Sequence, residues 1–489
     1  MKRTMLAALC AGLLTSCQSL WGSLSIPNPD NCVSSPELCL ADEICDQEEQ
    51  ICHAALSLHA VTPDLVPTSG GGTVKLIGER FLPGIKVRWD GLPIADVKVH
   101  SATELSFTLP SSQEGHWWTP IELVNPTGHS VRRDDLFTYY SESLRFVPVL
   151  GKDTLAPRDL LTGDFTGDGR SDLVFVPSSQ PLLTVLAGVG NGTLGVSVST
   201  VAGTNLTPPR GMVATDNNRD GNLDLLVAVR DGVQVFLGNG KGAFTPGAAS
   251  SVFGSVSRLT GLKLDRDQTQ SVALSDFGST LAMVPFGKDG TAGSPVTLAS
   301  GISVRLMTAA DISGDGLEDL LVLDTSDSLR IFVNDGTGKL VQSPVAALLA
   351  CAPNGLATAD LDHDAWNDVV VGCKFGLQIL HNERGTLTAG DLLVPTVKSS
   401  SAVLAADLSG DGWPDLVYGD ITTSSIYVLQ ADRQGSYLPP LAVYTDSGGS
   451  FSSPIYLEVD DLDGNHKPDV VAGFNNATNQ FVILRNESP

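Results

Sequence analysis

Apolar residues occur along most of the chain in short runs that are separated by turns rich in glycine, asparagine and aspartate. The stretches TVKLIGERF, IKVRWDG and LSFTLP, all within residues 59–140, alternate apolar and polar positions. Alternation with a period of two predicts strands that bury one face. No long stretch has a helical period. The pattern therefore predicts an all-β fold.

From residue 143 onward, one acidic phrase recurs and is followed each time by an apolar run. The spacing of about 50 residues indicates repeated supersecondary units. A degraded copy, DRDQTQSVAL, begins at Asp265. The six clear copies are DFTGDGRSDLVF from Asp164, DNNRDGNLDLLV from Asp216, DISGDGLEDLLV from Asp311, DLDHDAWNDVVV from Asp360, DLSGDGWPDLVY from Asp407 and DLDGNHKPDVVA from Asp461.

Each unit contains a strand before the acidic phrase and a second strand after it. A third strand ends in a turn such as VQVFLGNGKGAF, and a fourth strand follows. Four antiparallel strands per unit, in seven units, predict a seven-bladed β-propeller over residues 143–489. The last unit stops after its third strand. We expect the segment SLRFVPVLG (143–151) to supply the missing strand and to close the ring, which removes open sheet edges.

The acidic loops offer oxygen ligands at regular positions. Positions 1, 3, 5 and 9 carry Asp, Asn, Ser or Thr, and position 6 is usually glycine. Oxygen ligands in a turning loop suit Ca²⁺, with the backbone carbonyl of position 7 as a further ligand. The alternative is a water-solvated acidic turn, which six copies in one phase disfavour. The predicted ligands are Asp164, Thr166, Asp168, Arg170 and Asp172; Asp216, Asn218, Asp220, Asn222 and Asp224; Asp311, Ser313, Asp315, Leu317 and Asp319; Asp360, Asp362, Asp364, Trp366 and Asp368; Asp407, Ser409, Asp411, Trp413 and Asp415; Asp461, Asp463, Asn465, Lys467 and Asp469.

The phrase resembles the calcium loops of FG-GAP and VCBS repeats, which occur in integrin α-subunit propellers and in many bacterial surface proteins. The resemblance implies a calcium-binding propeller with up to six sites. Three copies depart from the pattern. The copy at Asp265 has Thr269 at position 5 and Ala273 at position 9, so we expect it to bind no ion. Ala365 and His466 replace the usual glycine, and an alanine at positive φ costs roughly 1 kcal/mol. We expect the last site to be weaker.

Residues 59–140 form a separate predicted sandwich. The order of its turns resembles that of the IPT/TIG immunoglobulin-like domain, which implies a spacer or interaction module. The matching features are Pro63, the Gly70-Gly71-Gly72 turn, Gly78, Phe81, Pro110 and the Asn125-Pro126-Thr127-Gly128 turn.

The N-terminus has the features of an export signal. Lys2 and Arg3 precede an apolar run that is too short to span a bilayer. The run ends in Leu14-Thr15-Ser16-Cys17, which resembles the lipobox of bacterial lipoproteins. The resemblance implies a signal peptide over 1–16, a lipid on Cys17 followed by a linker over 17–31, and a location at the bacterial outer membrane or cell surface. The alternative is a plain secretory signal.

Six further cysteines agree with an oxidising compartment. Cys32, Cys39, Cys45 and Cys52 lie in a segment (32–55) too small to bury a core, which predicts disulfides. Zinc is the alternative, but the spacing lacks the C-x2-C pair. Of the three possible pairings we favour 32–45 with 39–52. Cys351 and Cys373 flank a predicted hairpin, and we expect them to form another disulfide.

Charge and motifs narrow the function. Acidic residues outnumber basic ones 55 to 30, and the net charge of −25 argues against nucleic acid as a partner. No GxSxG or HExxH phrase occurs, so we expect a binding protein and no enzyme. We expect an adhesion or binding function toward an extracellular protein or glycan, with membrane contact only through the lipid. The alternatives are a polysaccharide lyase or dehydratase and a structural envelope component.

One apolar feature lies within the acidic loops. Position 7 carries Leu317, Trp366 and Trp413 in three successive copies. Because only the carbonyl at this position is a predicted ligand, the three side chains are free to form a patch for a partner or for sugar stacking. The alternative is that each side chain packs on its own blade.

Overall fold

The computed structural model describes residues 43–45, 52–112, 119–151, 157–177, 180–201, 211–266, 270–287, 289–349, 351–393, 399–445, 454–474 and 481–489. Within these ranges every regular element is a strand, which confirms the all-β prediction. The described part contains no helix long and apolar enough to cross a membrane. The predicted signal peptide, Cys17 and the linker lie outside the described residues.

The cysteine-rich segment contains a short antiparallel pair, β1 (Glu43–Cys45) and β2 (Cys52–Ala54). In this pair the backbone of Cys45 lies opposite that of Cys52. Cys32, Cys39 and the side chains of Cys45 and Cys52 lie outside the described part, so the favoured pairing stays a prediction.

The first compact unit contains two antiparallel four-stranded sheets, with strand orders β3-β5-β9-β8 and β11-β10-β6-β7. Strand β5 alternates exposed and buried residues along its length, as predicted. Trp89 joins the sheets, because its ring contacts Phe107 at 5.3 Å and Phe137 at 4.3 Å. The strands of these two sheets are β3 (Ser57–Thr62), β5 (Thr73–Glu79), β6 (Lys86–Trp89), β7 (Leu92–Pro93), β8 (Lys98–Ser101), β9 (Glu104–Thr108), β10 (Ile121–Val124) and β11 (Ser130–Arg133). Strands β4 (Leu65–Pro67) and β12 (Thr138–Tyr140) form a separate two-stranded sheet.

The second compact unit contains seven four-stranded antiparallel sheets within its described residues. We number them 1 to 7 along the chain. Their strands are β13 (Phe146–Leu150), which belongs to sheet 7; in sheet 1, β14 (Pro157–Gly163), β15 (Asp172–Pro177), β16 (Leu182–Gly188) and β17 (Leu194–Val201); in sheet 2, β18 (Met212–Thr215), β19 (Asp224–Val229), β20 (Gly232–Gly238) and β21 (Phe244–Ser251); in sheet 3, β22 (Val256–Lys263), β23 (Gln270–Asp276), β24 (Thr280–Pro285) and β25 (Val296–Ser300); in sheet 4, β26 (Val304–Ala310), β27 (Asp319–Asp324), β28 (Ser328–Asn334) and β29 (Leu340–Leu348); in sheet 5, β30 (Gly355–Ala359), β31 (Asp368–Cys373), β32 (Gly376–Asn382) and β33 (Leu387–Leu393); in sheet 6, β34 (Ser400–Ala406), β35 (Asp415–Asp420), β36 (Ser425–Leu429) and β37 (Leu441–Thr445); and in sheet 7, β38 (Pro454–Asp460), β39 (Asp469–Phe474) and β40 (Phe481–Asn486).

The predicted closing segment completes the last sheet. Sheet 7 has the strand order β13-β40-β39-β38, and Val149 of β13 lies opposite Ile483 of β40. The strand that precedes the first repeat is therefore the outer strand of the last sheet, as the sequence predicts.

Neighbouring sheets share their cores in cyclic order. Seven clusters of buried apolar residues each join two successive sheets, and one of them joins sheet 7 to sheet 1 through residues such as Phe481 and Leu160. The first strands contact each other in the same order, with β38 against β14. This closed arrangement is consistent with a β-propeller of seven blades.

The second strand of each sheet explains the apolar runs in the sequence. In β15, β19, β27, β31, β35 and β39 every residue is buried. Because both faces of these strands are covered by neighbouring sheets, they show continuous apolar runs and not alternation. Each of these strands begins with the aspartate at position 9 of the acidic loop.

The structure corrects the alignment of the degraded copy. Lys263 pairs with Gln270 across the loop of sheet 3, whereas Ala310 pairs with Asp319 in sheet 4. The sheet 3 loop is therefore shorter, and Gln270 occupies the place of position 9. Ala273 is a buried residue in the middle of β23 and not a loop position. The predicted Thr269 at position 5 lies outside the described residues.

Cys351 and Cys373 form the expected disulfide, with Cα atoms 5.3 Å apart. Cys373 ends β31 and is fully buried. The amide of Lys374 also donates a hydrogen bond to the carbonyl of Cys351 at 3.0 Å. The disulfide therefore ties the entry of sheet 5 to its second strand.

Candidate metal centre

The six acidic loops, which we call the aspartate loops, connect the first and second strands of sheets 1, 2, 4, 5, 6 and 7. In sheet 4 the Oδ1 atom of Asp311, at position 1, accepts hydrogen bonds from the amides of Gly314 (2.7 Å) and Asp315 (3.2 Å). Its Oδ2 atom accepts a hydrogen bond from the amide of Gly316 at 2.8 Å. Asp164 and Asp407 make the same three bonds in their loops. The first carboxylate thus shapes its own loop.

Two positions of each loop have left-handed backbone. At position 6 the expected glycines have positive φ, as Gly316 does at 84°, and the replacements Ala365 (71°) and His466 (63°) adopt the same conformation. Position 4 is also left-handed, as in Gly314 (73°) and His363 (61°). Position 4 was not predicted from the sequence, although glycine at this position in four of the six loops was an available signal.

The aspartate at position 9 is buried and closes the loop from behind. The Oδ2 atom of Asp319 accepts hydrogen bonds from the amides of Ile312 (2.9 Å) and Ser313 (2.8 Å), and its Oδ1 atom accepts one from the amide of Asn334 at 2.8 Å. This carboxylate therefore joins the loop to the end of the third strand. The equivalent residues accept the bonds from the position 2 amide and from the end of the third strand; they are Asp172, Asp224, Asp368, Asp415 and Asp469.

Burial disfavours negative charge at position 9. Desolvation raises the pKa of Asp415 to about 8 and that of Asp469 to about 7, although backbone amides oppose the shift. The pKa values of Asp172, Asp224, Asp319 and Asp368 are raised by the same cause. A cation beside these carboxylates would oppose the shift by favouring their charged form.

Donor chemistry at position 3 fits an oxygen-bound cation. Within the described part of the chain, the hydroxyl oxygens of Thr166 and Ser313 are buried without a hydrogen-bond partner of good geometry, although each lies near the position 9 carboxylate of its loop. A buried hydroxyl without a partner is costly, and a metal ion would satisfy it. Ligand oxygens also converge in two other loops, within 4.8 Å of one another; these sets are Asp360, Asp362 and Asp364, and Asp461, Asp463 and Asp469.

The two tryptophans at position 7 pack onto the preceding loop. The ring of Trp366 lies directly over Gly314, and the ring of Trp413 stacks on His363 with centroids 4.1 Å apart. Gly314 and His363 both occupy position 4 of the loop one sheet earlier. Leu317 is only 8% exposed, so the half-buried tryptophans are the accessible part of the predicted patch. The sequence alternative placed each ring on its own blade, whereas the two tryptophan rings lie on a neighbour.

The loop of sheet 7 contains its own positive charges. The ammonium of Lys467, at position 7, is buried and donates a hydrogen bond to the carbonyl of Ser488. Burial raises the pKa of Asp463, and the charge of Arg485 acts in the opposite direction. Because resident cations oppose the entry of another cation, these two residues strengthen the prediction that the sheet 7 site is weak.

His381 joins the sheet 5 loop, and sequence spacing did not indicate it. Its Nδ1 atom lies 3.9 Å from Oδ2 of Asp362 and 3.8 Å from Oδ1 of Asp368. The residue stands on the third strand, well beyond the acidic phrase, so only the strand pairing of the fold brings it to the loop.

Comparison with known proteins bears on both compact units. A solved structure of an Agrocybe aegerita lectin, described as recognising non-reducing terminal N-acetylglucosamine, is 16% identical with a TM-score of 0.49; the match covers 84% of this chain and 98% of that chain. An auxiliary nutrient binding protein from Bacteroides ovatus is 13% identical with a TM-score of 0.39, and the match covers 88% of this chain and 98% of that one. By sequence, residues 56–139 match the IPT/TIG domain, and residues 164–227 and 311–371 match the FG-GAP-like repeat.

Proposed function

We propose that the chain is a calcium-stabilised, lipid-anchored cell-surface binding or adhesion protein whose ring of sheets is the ligand-binding scaffold. The observation that carries the calcium part is the recurrence of one oxygen-rich cage in six loops. In two of these cages a buried position 3 hydroxyl lacks a well-oriented partner. Up to six Ca²⁺ ions would be held by the side chains at positions 1, 3, 5 and 9 and by the carbonyl at position 7.

An ion bound in an aspartate loop would make its sheet more rigid through the residues that already connect the strands. Position 9 already connects the loop to the third strand, as Asp319 does through Asn334. An ion that joins positions 1, 3 and 5 to position 9 would connect the first three strands of a sheet through one cluster of charges. Divalent cations would also offset part of the net charge of −25. A rigid ring that is tethered to a membrane by a lipid anchor is suited to present a binding surface.

The proposed partner is an extracellular protein or glycan. Half-buried tryptophans at positions 366 and 413 offer an aromatic surface that either partner could contact. The strongly acidic chain would repel nucleic acid, and contact with the membrane would be limited to the lipid on Cys17.

The alternatives are an enzyme acting on polysaccharide and a structural component of the envelope. Asp159 and Glu458 favour testing for the enzyme, because desolvation raises their pKa values to about 7 and about 8. Paired carboxyl groups with such values can act as acid and base. Turnover of a polysaccharide that is lost in Glu458→Gln would support this alternative.

The direct test is a binding screen of the full chain against glycan and surface-protein arrays, once with Ca²⁺ and once with EDTA. A Ca²⁺ concentration of about 1 mM is on the order of that expected for extracellular sites. We expect calcium-dependent binding to one ligand class and no turnover. A matched variant, Trp366→Ala with Trp413→Ala, tests the aromatic surface. Absence of any ligand, with recovery of the chain only in a fixed envelope complex, would contradict the proposal and favour the structural alternative.

A further inference from the structure

The sheet 5 loop differs from the other aspartate loops because an imidazole nitrogen faces its carboxylates. The Nδ1 atom of His381 is buried and has no hydrogen-bond partner among the residues that the structure describes. It lies 3.9 Å from Asp362 and 3.8 Å from Asp368, and both distances exceed those of a hydrogen bond. The three donor atoms lie within 4.8 Å of one another. A protonated imidazole would therefore donate to neither carboxylate, and the space between the three atoms suits an ion.

The fold holds this ring in place from its other side. A Cβ atom added to Gly390, on the neighbouring strand β33, would lie 2.8 Å from Cδ2 and 2.9 Å from Nε2 of His381. The absence of a side chain at Gly390 therefore makes room for the ring. With the Cδ2–Nε2 edge against that strand, the Nδ1 atom is left toward the loop.

The imidazole is specific to sheet 5. In each aspartate-loop sheet, the residue after the equivalent of His381 donates its amide to the position 9 carboxylate; in sheet 5 this residue is Asn382. The residues that take the place of His381 in the other sheets are Ala187, Leu237, Val333, Gln430 and Arg485. None of these offers a nitrogen that can ligate a metal ion at neutral pH.

Donor type favours a transition metal at this place. Calcium takes oxygen ligands, whereas an imidazole with carboxylates suits Zn²⁺ and its first-row neighbours. Around a shared tetrahedral ion, separations of 3.8 and 3.9 Å between ligand atoms correspond to bonds of about 2.4 Å, so the side chains would close in by a few tenths of an ångström to reach Zn²⁺ bond lengths of about 2.0–2.2 Å. We propose that His381, Asp362 and Asp368 form a site for a divalent transition metal such as Zn²⁺. Asp362 and Asp368 also stand at positions 3 and 9 of the calcium loop, so the two sites share two carboxylates and their ions compete within sheet 5.

The test uses the full chain, stripped with a chelator and then supplied with Ca²⁺ to occupy the other five aspartate loops. Co²⁺ and Zn²⁺ are added separately, and bound metal is counted by elemental analysis alongside the Co²⁺ absorption spectrum. We expect His381→Gln to lose one metal equivalent relative to the unmodified chain. His363→Gln is the matched control, because His363 lies in the same loop but bonds the carbonyl of Gly412 at 3.1 Å; it should retain that equivalent.

The Cu²⁺ electron paramagnetic resonance spectrum gives a second readout. Nitrogen coupling in the unmodified chain reports a histidine ligand whether or not a variant folds. We expect nitrogen coupling that is absent in His381→Gln and present in Asp360→Asn, which alters only the oxygen set. Equal stoichiometry and equal spectra in the unmodified chain and His381→Gln would overturn the proposal. Calcium-dependent melting of His381→Gln, measured in parallel, distinguishes this failure from a failure of the calcium proposal.

Discussion

Asp315 and Asp319 stand in the same loop, yet the fold uses their carboxylates differently. Asp315 is exposed and accepts one amide hydrogen bond, from Leu317 at 2.9 Å. Asp319 is fully buried and accepts three. The carboxylate of Asp319 therefore also stabilises the fold through its hydrogen bonds, whereas that of Asp315 is available mainly to an ion.

This difference predicts that two isosteric substitutions change the free energy of unfolding in different ways with and without calcium. Asp319→Asn should lower the free energy of unfolding by about 2–3 kcal/mol even in EDTA, because an amide NH₂ would face backbone N–H donors. Asp315→Asn should change stability in EDTA by less than about 0.5 kcal/mol. In 1 mM Ca²⁺ the same variant should lose about 1.4 kcal/mol, the contribution of a site with a Kd near 0.1 mM. Denaturant unfolding in both buffers checks the pair, and equal losses in EDTA would contradict it.

Position 6 offers a test of backbone strain. A Cβ added at Gly316 would meet nothing within 4 Å, so any cost of Gly316→Ala comes from its φ of 84° alone. We expect that variant to lose about 1 kcal/mol. Ala365 has a φ of 71°, and Ala365→Gly should gain a similar amount because it relieves the same strain. Chemical denaturation measures both variants, and their free energies of unfolding should shift in opposite directions. Shifts of the same sign would show that backbone strain at position 6 does not determine the stability of these loops.

Glu458 makes stability depend on pH. Desolvation first, and then repulsion from Asp159 and Asp460, raises its pKa from 4.5 to about 8. The folded protein thus binds a proton that the unfolded chain releases above pH 4.5, so this contribution to stability is lost as pH rises toward 8. Glu458→Gln should remove the loss and be more stable than the unmodified chain at pH 9 by on the order of 2 kcal/mol. Urea unfolding at pH 5 and pH 9 measures this difference, and Glu383→Gln, in an exposed turn, is the control. If Glu458→Gln leaves the pH dependence of the free energy of unfolding unchanged, Glu458 is not its cause.

At the scale of elements, the strand pairing explains what the sequence could and could not predict. The position 9 aspartates and the strands that follow them were predictable, because one phrase carries both the loop oxygens and the buried run. His381 was not, since it reaches the loop only through the pairing of β31 with β32. The sheet 3 loop was misaligned because its acidic phrase is degraded. A hydrogen bond to the loop backbone marks the equivalent position better than the phrase does. Asn334 donates to the carbonyl of Leu264 at 2.9 Å, as Asn382 does to that of Ile312.

The closing strand can be tested by proline substitution. The amide of Gly151 donates to the carbonyl of Phe481 at 3.1 Å, and antiparallel alternation then places the Val149 amide toward β40 as well. Val149→Pro removes a ladder donor and should cost about 2–3 kcal/mol. The amide of Leu150 points away from β40, so Leu150→Pro should cost less. Hydrogen exchange at the amides of β40 should accelerate in the first variant only; equal acceleration in both would mean that this strand does not close the ring.

For the whole molecule, closure and charge act against each other. Seven shared cores hold the sheets in a ring, while an excess of 25 negative charges opposes compaction. Carboxylates at the loop positions concentrate much of that repulsion on one connection of each sheet. Divalent ions at these connections would relieve it, and the fold would then depend on the calcium concentration outside the cell.

Calorimetric melting of the full chain in 1 mM Ca²⁺ and in excess EDTA tests this dependence most directly, with Mg²⁺ as the control for ionic strength. Six sites that each contribute about 1.4 kcal/mol should lower the melting temperature of the second unit by roughly 10 °C or more when calcium is removed. An identical melting temperature in calcium and in EDTA would contradict the account.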